Sequence, residues 1–118
     1  MANDFKRFCV PDVGTSLTTL YGVPAGSASS ALESIVIGIT ISNKAAAART
    51  CSIWIDNEDG SNDVYIVKDA TIPVGSSLEV MSGNKLVLMN DGTNADNLEA
   101  IASATSSIDI TVSVLEDV

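Results

Sequence analysis

Apolar and polar residues alternate along most of this chain with the period of two that marks half-buried β-strands. The clearest stretch is 32–43, LESIVIGITISN. There the alternation puts Ile35, Ile37, Ile39 and Ile41 on one face and Val36, Gly38, Thr40 and Ser42 on the other. Residues 107–116 match it, with Ile108, Ile110, Val112 and Val114 set against Asp109, Thr111 and Ser113. Shorter strands are expected over 15–23, 50–56, 64–68 and 98–104. In the second of these Cys51, Ile53 and Ile55 face inward and Trp54 outward. Residues 71–89, TIPVGSSLEVMSGNKLVLM, read as a turn at Ile72-Pro73-Val74-Gly75 followed by two alternating strands around Gly83-Asn84. That dipeptide suits a tight turn, so the stretch predicts a hairpin placed centrally in the domain.

The pattern gives about eight strands with turn signals at the spacing of sandwiches and barrels. Strands joined by short turns are antiparallel. The expected fold is therefore all-β: one antiparallel β-sandwich, with jelly-roll connections as an option. Lys44 to Ala48, KAAAA, favours helix but is too short to hold one, and reads as a compact turn. Residues 1–14 stand outside the regular pattern and read as an extended N-terminal arm, leaving 15–118 as the sandwich domain. Phe5 and Phe8 are the only phenylalanines. Two readings stand for them: they cap the protein's own core, or they dock with Val10 on a neighbouring subunit. Trp54, the only tryptophan, is a further candidate anchor on an outer face.

Composition narrows the function. Fifteen acidic and six basic residues give a net charge of −9, which speaks against direct contact with nucleic acid and favours solubility at high copy number. No run of apolar residues approaches the ~20 of a membrane helix, and MANDFKRFC lacks the apolar core of a secretory signal. The two cysteines, Cys9 and Cys51, are expected to be reduced and to act as small apolar residues; a disulfide tying the arm to the sandwich is the alternative.

Histidine is absent, which removes the commonest general base and zinc ligand. The serines form no Gly-x-Ser-x-Gly elbow, and Gly83-Asn84-Lys85 lacks the rest of a phosphate loop. No catalytic, cofactor or metal site is expected. Two polar loop tips are candidate recognition surfaces: Asp56, Asn57, Glu58, Asp59 and Asp63 in the first, and Asn90, Asp91, Asn94 and Asp96 in the second. The first invites calcium, but its spacing does not fit an EF-hand, and a solvated turn explains the composition.

A family resemblance adds to this. Leu20-Tyr21-Gly22-Val23-Pro24, a strand ending Ile41-Ser42-Asn43, Val64-Tyr65-Ile66-Val67-Lys68, Ile72-Pro73-Val74-Gly75 with Leu78-Glu79, Lys85-Leu86-Val87-Leu88 and Val112-Ser113-Val114-Leu115-Glu116 follow one another. In this order they resemble small β-sandwich virion proteins of tailed bacteriophages. The likeness covers about residues 15 to 116; the loop 90–97 is longer than such proteins usually carry, and the arm lies outside it. The resemblance implies a non-enzymatic structural protein, made in the host cytoplasm and located in the virion. It would be a homo-oligomer in contact with other virion proteins such as the major capsid protein, acting as a capsid decoration (cement), neck or tail subunit. A receptor- or glycan-binding module working through the acidic loop tips is the alternative.

Overall fold

The computed structural model describes residues 3–24, 32–56, 63–81, 85–91 and 93–117. These form nine strands: β1 (Asn3–Val13), β2 (Thr18–Gly22), β3 (Leu32–Asn43), β4 (Arg49–Asp56), β5 (Asp63–Ile72), β6 (Ser77–Glu79), β7 (Leu86–Asn90), β8 (Asn97–Ala102) and β9 (Ile108–Asp117). A five-stranded sheet runs β1-β9-β3-β6, with β7 also on β3, and a four-stranded sheet runs β2-β8-β4-β5. All pairings are antiparallel. Because the chain passes repeatedly between the two sheets, this is the strand order of a jelly roll. The all-β sandwich expected from the alternation is the fold.

The core is aliphatic. Val36, Ile39, Ile41, Val112 and Val114 of the five-stranded sheet meet Cys51, Ile53, Ile72, Leu98 and Ala100 of the other, all with essentially no exposure. Burial of such side chains is the main stabilising term, roughly 1.5–3 kcal/mol each relative to exposure. The KAAAA segment forms bends. Buried Asn43 holds it there: its Oδ1 accepts from Ala45 N and its Nδ2 donates to the carbonyls of Ala47 and Ile72. At Pro73 to Ser76 the chain turns with Ser76 N donating to Pro73 O, and Gly75 takes the positive φ (66°) that the third turn position needs.

Three expectations are corrected. First, residues 3–13 are not an arm apart from the sandwich. They are extended, but as an edge strand of it, paired with β9 from Asn3↔Asp117 to Val13↔Ile108. Second, the four isoleucines of β3 do not share a face. Val36 pairs with Val114 and Gly38 with Ser113, so Ile37 is an extra residue bulged out of the ladder. One inserted residue reverses the phase of everything before it. Ser34 and Val36 therefore point inward with Ile39 and Ile41, while Ile35 and Ile37 turn to the outer face. Third, β6 and β7 are not two arms of a hairpin. Both run antiparallel to β3, β6 against Thr40–Ser42 and β7 against Leu32–Val36. They are successive pieces of one interrupted edge strand, at the rim of the sheet rather than at its centre. Their shared alternation suits one strand as well as two, which is why period alone did not separate the options. The Gly83-Asn84 turn lies outside the described residues.

Candidate functional site

The two sheets part where their edge strands β1 and β2 run side by side. A cleft of about 400 Å³ opens there, lined by Lys6, Phe8, Leu20, Tyr21, Pro24 and Glu116 among others. Strand parity places its groups: β1 sends Lys6, Phe8 and Val10 toward the interior, and β9 sends Glu116. The Glu116 side chain is buried. Its Oε2 accepts a short hydrogen bond from the Tyr21 hydroxyl, and its Oε1 lies 2.9 Å from Lys6 Nζ. Tyr21 Oη is also 2.7 Å from Ser34 Oγ, and its ring lies 5.0 Å from that of Phe8. Burial foremost, and then the Glu116 carboxylate, push the Tyr21 phenol well above its ordinary pKa. Lys6 is also held above the usual lysine value, through its hydrogen bond and charge contact with Glu116. Tyr21 bridges Ser34 and Glu116 by hydrogen bonds and Lys6 pairs with Glu116 by charge, so the arrangement is a fastening that ties β1, β2, β3 and β9 together.

The outer face of the five-stranded sheet is a second feature. Phe5↔Leu115, Leu115↔Ile35 and Ile35↔Val87 are cross-strand partners, so four apolar side chains form one row across β1, β9, β3 and β7. Phe5 is 75% exposed and Val87 55%, and Ile37 and Met89 flank the row. The same parity explains the phenylalanines. Three residues apart on a strand, they face opposite ways: Phe8 packs against the core and Phe5 stands in solvent. Of the candidate anchors on this strand, Phe8 and Val10 thus pack, half-buried, against the protein's own core, and Phe5 is exposed.

Trp54 points outward as expected, yet it is buried, at 6% exposure. Its ring rests 5.5 Å from Tyr65, its partner on β5, and Lys68 Nζ lies 4.8 Å above the Tyr65 ring. Beside it on β8 is Glu99, whose carboxyl is held above the usual range. Burial is the main cause, and the charge of Asp56 comes next.

The recognition loops divide. Asn57, Glu58 and Asp59 lie outside the described residues. Asp56 and Asp63 face each other at the end of the β4–β5 pair. Asn90 and Asp96 are buried and serve the fold: Asn90 Nδ2 donates to Val23 O, and Asp96 Oδ2 accepts from Met89 N. Asp91 Oδ1 accepts from the Thr93 and Asn94 amides, which lowers its pKa and closes the turn that carries exposed Asn94. Among the described residues no three His, Cys, Asp or Glu are grouped to hold a metal ion. The cysteines are both free, Cys9 exposed on β1 and Cys51 in the core, where burial pushes its thiol up to about 11.

Sequence reasoning missed the fastening at Glu116, whose partners Lys6 and Tyr21 lie near the other end of the chain and have no local signature. The apolar row did have one. Leu86-Val87-Leu88-Met89 and Ile35-Val36-Ile37 are apolar on both faces of a strand, which a sandwich with one wet face does not require.

No protein-family model matches this chain, and no curated protein does. Among solved structures, two that this chain resembles weakly are the following. A chain from infectious bursal disease virus, Gx strain, is 11% identical with a TM-score of 0.47; the match covers 97% of this chain and 32% of the viral one. A chain from Bacillus endospore appendages, described as a novel family of disulfide-linked pili, is 9% identical with a TM-score of 0.45, covering 97% of this chain and 86% of that one. This chain spans about a third of the length of the viral chain.

Proposed function

We propose that this protein is a non-enzymatic structural subunit of a virus particle, a homo-oligomeric decoration (cement) protein on the capsid of a tailed phage. The observation that carries the reading is the exposed apolar row on the outer face of the five-stranded sheet. Contiguous apolar surface of this kind is uncommon on proteins that work alone and marks sites of association. The sequence resemblance to phage virion proteins supplies the setting. The polar chemistry of the described residues agrees, since the buried carboxylate and phenol are spent on holding strands together.

The test is the copy number of this chain in purified particles, by quantitative mass spectrometry against the major capsid protein. Hundreds of copies are expected for a decoration subunit. About a dozen or fewer would move the protein to the neck or tail, and absence from particles would overturn the reading. Deleting residues 2–10 is not a usable test of anchoring, because it removes most of an edge strand and one side of the Glu116 fastening. Substituting Phe5 alone leaves both in place.

A further inference from the structure

We infer that the outer face of the five-stranded sheet is a self-interface: two copies of this chain pack these faces together about a two-fold axis running along the Phe5–Leu115–Ile35–Val87 row. The inference rests on the reading of the chain as an assembling subunit and names the surface it would use.

Three observations point to a second copy. The first is extent. Scattered exposed apolar residues are ordinary, but here exposed Phe5 and Val87 are joined in direct cross-strand register by half-buried Leu115 and Ile35, with exposed Ile37 and Met89 beside them. Four strands at ~4.8 Å spacing and some nine residues along each give a face of roughly 600 Å² in projection. That is comparable with the ~800 Å² per partner of a standard interface.

The second is relief. Away from the row, the outer positions of β9 and β3 are the short side chains Ser113, Thr111, Gly38, Thr40 and Ser42, which leave room for a second sheet at the ~10 Å separation of packed faces. The longer Glu79, hydrogen-bonded to Thr40 beside Gly38, and Asp109, opposite Ser42, bound this low area away from the row. Edge-to-edge association is less well served, because β1 carries Asp4, Lys6, Arg7 and Pro11, the charges and proline that block strand addition.

The third is charge. Arg7 lies one step from the row on one side, level with Ser113 and Gly38, and Lys85 precedes β7 at that level. Glu33 lies one step from the row on the other side, next to Met89. An axis along the row inverts the two sides and keeps each strand's place along it, so Lys85 of one copy comes within one strand spacing of the partner's Glu33. Glu79 also stands on the Arg7 side, beyond Gly38, so on a chain of net charge −9 the Arg7 and Lys85 charges are what offset repulsion between copies at this face.

Sedimentation velocity of the purified full chain over a range of concentrations tests this. A monomer–dimer equilibrium is expected. Val87→Asp should raise the dimer Kd by roughly tenfold or more, equivalent to ~1.4 kcal/mol, with an unchanged circular-dichroism spectrum. Lys85→Glu should weaken the dimer, and adding Glu33→Lys should restore it, which a merely apolar contact would not do. A monomer at all concentrations, or an oligomer indifferent to Val87→Asp, overturns the interface; failure of the charge reversal to restore it overturns the axis. The two readings fail separately. A monomeric chain found in particles at high copy number keeps the structural role and loses this interface. A Val87-dependent dimer absent from particles does the opposite.

Discussion

On the four-stranded sheet, the outward row Thr19, Glu99, Trp54, Tyr65 leaves Glu99 and Trp54 almost wholly buried, at 8% and 6% exposure. Both rows have exposed ends, Thr19 and Tyr65 on one and Phe5 and Val87 on the other, but on the five-stranded sheet the central pair of the row, Leu115 and Ile35, is only half-buried. The largest side chain on each outer face thus meets a different fate. Trp54 is shielded within its own subunit, with Tyr65 tilted against it; Phe5 has no such neighbour. An outer face that the subunit closes for itself contributes to folding, whereas one left open contributes only when something else covers it. The two rows should therefore respond oppositely to substitution, one in stability and the other in association.

The largest effect belongs to the closed face. Trp54→Ala is expected to cost about 3–5 kcal/mol of unfolding free energy, the range for removing a buried aromatic, and urea denaturation measures it. A cost under about 1 kcal/mol would mean the indole is not packed as described. Between the faces stands the Glu116 fastening. Tyr21→Phe keeps the ring against Phe8 and removes the hydroxyl that donates to Glu116, so about 1.5–3 kcal/mol should be lost, the worth of a hydrogen bond to a charged group.

Third comes a change of opposite sign. The Glu99 carboxyl is held above the usual range, by burial first and by the Asp56 charge next. A group whose folded pKa is raised supports the fold below its unfolded pKa and loses that support as pH rises through the folded value. At neutral pH the ionised, crowded carboxylate is therefore unfavourable. Glu99→Gln should melt slightly higher than the parent at pH 7, with the advantage gone below the ordinary glutamate range. Equal melting temperatures at both pH values would show that Glu99 is better solvated than its position implies.

How far these features could be read beforehand depended on whether the cause was local. Strand β9 kept strict alternation from Ile108 to Val114, and its inward face is as expected. Strand β4 also kept the expected facing of Cys51, Ile53 and Trp54. In β3 a single bulged residue, Ile37, reversed the phase, and alternation cannot register an insertion that tertiary pairing alone selects. The first strand was missed because its apolar residues serve two faces. Phe8 and Val10 alternate correctly, but Phe5 belongs to the other side and Lys6 occupies an inward position that Glu116 makes tenable. Alternation alone makes β6 and β7 read as partners of each other, because nothing local reveals that the longer β3 holds both. Of the candidate anchors, Phe5 is exposed, Phe8 and Val10 pack against the core, and Trp54 is covered on the outer face of its own sheet.

The smallest change in the fold itself should come from Phe5→Ser, and it separates the two faces most cleanly. The ring is three-quarters exposed, so its loss should shift the stability of the isolated subunit by no more than about 0.5 kcal/mol, as for ordinary surface substitutions. At protein concentrations low enough for monomers, parent and variant should melt together. Association adds stability to whatever state it binds, and the gain rises with concentration. The parent's melting temperature should therefore climb as the protein is concentrated, while that of Phe5→Ser climbs less or not at all. A large destabilisation at low concentration would place Phe5 in the subunit's own packing and erase the contrast with Trp54. Parallel concentration dependence in the two proteins would mean that association uses some other surface.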